Sequence, residues 1–129
     1  MRRFLAKRDD WCMISGELSG MTQDERETAT AKLLAEILDG GFAPLECEGV
    51  YKGESERSFL VIGISRDEAL RLGRMFHQES IMLPAGLTYC DDGRTVPIQS
   101  IEDGASGDSY SRVNVAGRRQ DLTITLAAA

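Results

Sequence analysis

The sequence predicts an α+β domain: a ferredoxin-like split β-α-β core (βαββαβ) with a C-terminal β-hairpin extension. Three features predict it. Thr22-Gln23-Asp24-Glu25 and Ser65-Arg66-Asp67-Glu68 both have the spacing in which a hydroxyl and a carboxylate satisfy orphan amides of a first helical turn. The run 58–64, SFLVIGI, is apolar enough for a strand shielded on both faces. Asp91-Asp92-Gly93-Arg94 lies between two β-compatible segments and has the chemistry of a hairpin turn.

In chain order, residues 1–9 form a basic lead-in carrying Arg2, Arg3, Lys7 and Arg8. Residues 10–18 read as a first strand, with Gly16 marking a bulge. Thr22 then opens a helix in which Ala29, Leu33 and Ile37 recur at helical spacing until Gly40-Gly41 stops it. Residues 42–51 read as a second strand, which Pro44 either confines to an edge or delays until after itself. A polar turn at 52–56 leads into the central strand at 58–64. The second helix runs from Ser65 to about His77; Ala69, Leu72, Gly73 and Phe76 share its apolar face, and Gly73 admits close approach to the sheet. A short strand at 80–83 precedes the hairpin strands 87–90 and 95–99, the latter placed at an edge by Pro97. The Gly-, Ser- and Asp-rich stretch 102–112 opens a loop extending to 120 and reads as mobile, and 121–126 alternates as a terminal strand. One domain, 1–129, with its core at 10–101, accounts for the whole chain.

Composition narrows the function classes. A formal net charge of −6, from 21 acidic and 15 basic residues, repels phosphate backbones and anionic membranes, so no nucleic-acid polymer is expected as a partner. Cys12, Cys47 and Cys90 are too widely spaced for a zinc site and odd in number for a disulfide framework, so reduced thiols and a cytoplasmic location are expected. No apolar run reaches the roughly twenty residues of a membrane span. Neither a metal nor a cofactor is expected.

The candidate chemistry sits on turns and loops. Lys52, Arg57, Arg94 and Arg112 offer donors to an anionic group, and Tyr51, Tyr89 and Tyr110 offer faces on which a planar group stacks. His77, whose ordinary pKa lies near neutrality, with Glu56 or Glu79 as its orienting carboxylate, makes a small hydrolase the alternative. The plainer reading is that His77 and Gln78 end the helix. Edge strands beside Pro44 and Pro97 also predict a pairing surface for a homodimer or a host protein.

Across roughly residues 25–83 the chain carries LLAEIL before Gly41, then Tyr51-Lys52-Gly53 with Glu56-Arg57-Ser58-Phe59-Leu60-Val61, and a helix from Ala69 to Phe76 followed by Gln78. In these features it resembles a small bacterial and phage family known only as a domain of unknown function. The resemblance implies that Glu56, Ser58 and Gln78 are site residues. Such family patterns carry Phe-Gly-Gln where this chain has Phe76-His77-Gln78. With the habit of small acidic phage proteins, the resemblance also implies a phage-encoded counter-defence protein. The expectation is thus a non-catalytic binding module that sequesters a small anionic ligand such as a signalling nucleotide.

Overall fold

The computed structural model describes residues 1–51 and 53–127, with Tyr51 described by its backbone alone. Three helices, α1 (Arg2–Ala6), α2 (Gln23–Asp39) and α3 (Arg66–Met75), accompany eight strands. The strands are β1 (Trp11–Ile14), β2 (Leu45–Tyr51), β3 (Glu54–Ile62), β4 (Ser80–Leu83), β5 (Gly86–Tyr89), β6 (Thr95–Asp103), β7 (Ser109–Val115) and β8 (Arg118–Leu126). They pair antiparallel in the order β1-β3-β2-β7-β8-β6-β5-β4, and β4 returns to β1 through Met13 and Met82.

The ferredoxin-like α+β expectation is therefore overturned: the fold is a closed eight-stranded antiparallel barrel with three short helices. The physical reason lies in the last third of the chain. The expected loop at 102–120 is mostly strand, because β6 runs on to Asp103 and β7 pairs with β8 across Ala116-Gly117, a two-residue turn with φ of 52° and 81° that matches strand twist. β5 extends the sheet beyond β4, and β7 extends it beyond β2, so the hairpin is a wall of the barrel and no appendage. The remaining loop, 104–108, is tied across β8, where Thr123 Oγ1 accepts from Ser106 N–H at 3.0 Å and donates to the Gly104 carbonyl at 2.7 Å.

Closure also removes the edges on which the dimer expectation rested. Pro97 lies opposite Gly86 within the wall, beside a register shift between Ile98 and Ser100, and no free sheet edge remains among the described residues. Pro44 precedes β2, as one of the two readings of that segment required.

Strand alternation sorts the apolar residues into two cores. Trp11, Leu60 and Met82 join Val113 and Leu122 inside the barrel, while Cys12, Phe59, Val61 and Ile81 point outward beneath Leu33, Ile37, Ala69 and Leu72 of the helices. α2 forms as its cap dictates: Thr22 Oγ1 accepts from Glu25 N–H at 3.2 Å, and Glu25 Oε1 accepts from Thr22 N–H at 3.0 Å. Two glycines set the spacing of the helices from the wall. A Cβ on Gly73 would lie 2.7 Å from Cys90 Sγ, so α3 sits close on the sheet as expected. One on Gly16 would lie 2.9 Å from the Ala29 carbonyl oxygen, so this residue, beyond the end of β1, admits α2 and does not mark a bulge.

At one end α1 closes the barrel. Leu5 is buried against the interior core, its carbonyl accepts from Trp11 Nε1–H at 3.1 Å, and the N-terminal ammonium lies 3.5 Å from Asp103. The basic lead-in is thus a plug. No helix among the described residues is long and apolar enough to cross a membrane.

Candidate ligand-binding site at the open barrel end

The end opposite α1 is open because of side-chain size. Inward positions near the plug carry Trp11, Leu60, Val113 and Leu122, which fill the barrel. Toward the other end the lining changes to Gly49 on β2, Ser58 on β3, Ser80 on β4, and Ser109 and Ser111 on β7, leaving a recess of about 580 Å³. Gly49 pairs with both Glu56 and Ser111, and a Cβ there would meet only the Glu56 carbonyl oxygen, at 3.9 Å. A larger residue would therefore project into open space. A strand glycine of this kind weakens the strand without local compensation and marks a place where another group approaches.

The rim is organised by Glu17, which is only 6% exposed. Its Oε1 accepts from Arg26 Nη1–H at 3.2 Å and its Oε2 accepts from Arg57 N–H at 2.8 Å, so the buried charge is paired and hydrogen-bonded. Ser15 Oγ accepts from Glu17 N–H at 3.0 Å, and the Glu17 carbonyl accepts from Gln78 Nε2–H at 3.1 Å. These bonds join the segment after β1, the start of α2, β3 and the turn after α3. Glu56 faces the same recess, with Glu54 two residues before it on the same face of β3.

Confinement within the barrel mouth, followed by the nearby Glu17 charge, pushes the Glu56 carboxyl above the usual range; Ser15 and Arg26 act in the opposite sense. The Ser15 hydroxyl has one proton, which it donates to the Arg57 carbonyl at 2.8 Å, so its help to Glu56 competes with that bond. The Glu56 side chain remains solvent-accessible through the recess. Below this rim and its belt of serines, the floor is apolar, formed by Met13, Met82, Leu87 and Ile124.

Of the sequence-derived site residues, Glu56, Ser58 and Gln78 meet in this recess, and Tyr110 borders it. The Tyr110 hydroxyl accepts from Arg112 Nη2–H at 2.8 Å, and its ring carries the Arg112 guanidinium at 5.3 Å. Arg57 and Arg112 instead line an outer groove of about 400 Å³ with Glu46, Glu48 and Arg119. That groove is a mixed-charge surface: Arg112 pairs with Glu48 at 3.4 Å and Arg119 with Asp121 at 3.5 Å. Arg94 stacks on Tyr89 at 4.3 Å beside the β5–β6 turn, away from the recess lining. Lys52 and the Tyr51 side chain lie outside the described residues.

His77 and Glu79 are exposed and outside the recess that Glu56 lines, so the hydrolase set is not assembled there. His77 has φ of 58°, its N–H bonds the Arg74 carbonyl at 3.1 Å, and the Gln78 N–H bonds the Gly73 carbonyl at 2.9 Å. This is the left-handed position just past a helix end, which favours glycine. The left-handed backbone at His77 turns the chain so that Gln78 lines the recess.

The matching features thus share a place in the fold. Residues 19–81 match DUF3293, a family described as a protein of unknown function. The matched stretch contains α2, β2, β3 and α3, and with them Arg26, Gly49, Glu56, Ser58 and Gln78 of the recess. Ser15 and Glu17 precede it, and Ser109 and Ser111 lie beyond it. The match has no bearing on phage origin or counter-defence. No curated protein matches the chain.

Sequence reasoning missed Ser15, Glu17, Arg26, Gly49, Ser109 and Ser111. One local signal was present: Gly49 interrupts a strand without a turn signal around it. The serines carried none, because their inward direction depends on the strand pairing that closes the barrel.

Proposed function

We propose that this protein is a non-catalytic binding module that takes a small molecule into the open end of its barrel. The observation that carries the reading is the change in interior side-chain size along the barrel, from Trp11 and Leu60 at the plugged end to Gly49, Ser58, Ser80 and Ser111 at the mouth. A recess of about 580 Å³ over an apolar floor, with a few polar groups fixed around it, has the makeup of a small-molecule site. Binding rather than turnover is favoured because Glu17 has both carboxylate oxygens engaged by Arg26 and Arg57, leaving it an organiser of the rim.

Gly49→Trp tests the reading by filling the mouth. Mass spectrometry of small molecules released on denaturation should find an unaltered compound in the wild-type protein and not in the folded variant. Equal recovery from both proteins, or conversion of the compound during incubation, would count against a non-catalytic site at the mouth.

A further inference from the structure

We infer that the recess takes an organic cation, a protonated amine head held at the Glu56 rim with an apolar body reaching the methionine floor. The inference rests on the proposed binding role and names the ligand class for that site. Among the described residues, three carboxylates, Glu17, Glu54 and Glu56, line the recess against the single guanidinium of Arg26. Arg26 is already committed to Glu17 at 3.2 Å, so it offers little attraction to an incoming anion. The acidic rim would also repel a phosphate or a carboxylate. This reverses the charge expected from Arg57 and Arg112, whose side chains belong to the outer groove.

An ammonium group needs acceptors on several sides, and this lining supplies them. Carboxylate oxygens come from β3, and hydroxyl oxygens come from Ser58, Ser80 and Ser111 on three strands around the mouth. An acidic cluster on an outer surface would leave such a head in water. Here the carboxylates sit over a cavity with an apolar base, so an ion pair at the rim comes with burial of the ligand's body. The strand register sets the length. Met13 pairs with both Leu60 and Met82, and Leu60 lies four residues beyond Glu56 on β3, which separates rim from floor by about 13 Å along the strand. A primary ammonium bearing a medium alkyl or arylalkyl chain spans that depth.

The test is calorimetric titration at fixed pH with octylammonium, octanol and octanoate, which share a tail and differ in head charge. Octylammonium should bind wild-type protein at least tenfold more tightly than octanol, with octanoate weakest. Glu56→Gln should abolish the tenfold advantage and leave octanol binding intact, which also shows that the variant is folded. Gly49→Trp, or Ser111→Leu from the facing strand if the tryptophan prevents folding, should abolish binding of all three. Octanol or octanoate binding as tightly as octylammonium, or an unchanged octylammonium advantage in Glu56→Gln, would overturn the cation assignment while leaving the recess as a binding site. No binding of any probe to the wild-type protein, or binding unaffected by the blocking variants, would overturn both.

Discussion

His77 and Glu56 hold a conformation and a charge that their immediate chemistry resists. His77 adopts φ of 58°, where a Cβ crowds the backbone, so His77→Gly should stabilise the protein by about 1 kcal/mol. Urea unfolding checks this, and an unchanged or lowered midpoint would show that the imidazole has a role beyond ending α3. Glu56 has its carboxyl pushed upward by confinement at the mouth and by Glu17. Its native form therefore keeps a proton that the unfolded chain releases near 4.5, and stability falls as pH rises from there through the native titration. Relative to wild type, Glu56→Gln should gain stability at neutral pH, and that gain should fade as pH drops below the ordinary carboxylate range. Paired unfolding curves at pH 7.5 and pH 4 measure the difference, and a gain that grows toward acid would have the wrong sign.

Among the elements, the β5–β6 pairing is one joint of the closed barrel. Gly86 has φ of 146°, and a Cβ there would lie 2.0 Å from the Val96 carbonyl oxygen and 2.9 Å from Pro97 Cα. Both neighbours are backbone, so neither can move aside as a flexible side chain would. Gly86→Ala should therefore cost about 3 kcal/mol or more, in the range of severe backbone and overpacking lesions. Loss of amide-exchange protection should begin in β5 and β6 rather than in β2 and β3. Protection lost evenly over all eight strands would mean that this joint is not a separable weak point.

For the whole molecule, the two cores share a wall, with Cys12 facing the helices and Cys47 facing the barrel interior. Burial pushes each of these thiols up to about 12, and Cys90 is raised for the same reason. A thiol reagent at pH 8 should thus find none of the three reactive in the folded protein, and all three should become reactive together as urea unfolds it. Labelling of Cys12 well before Cys47 would show that the helix-covered layer opens while the barrel stays shut.

The sequence by itself determined the local elements. Thr22 and Glu25 fixed the start of α2, Gly40-Gly41 its end, the SFLVI run lay in a shielded strand, and Asp92-Gly93 turned a hairpin, because each signal acts between residues a few positions apart. The family resemblance drew attention to Glu56, Ser58 and Gln78, and these line one recess. Only the tertiary structure decided that the sheet closes, since closure depends on β7 meeting β2, β8 meeting β6 and β4 meeting β1, contacts between segments that carry no mark of each other in the chain. Closure turned Gly49 and the serines of β3, β4 and β7 inward and moved Arg57 and Arg112 to the outer face. The character of the recess follows from that pairing, because a strand residue's face is set by alternation and its surroundings by the strands beside it.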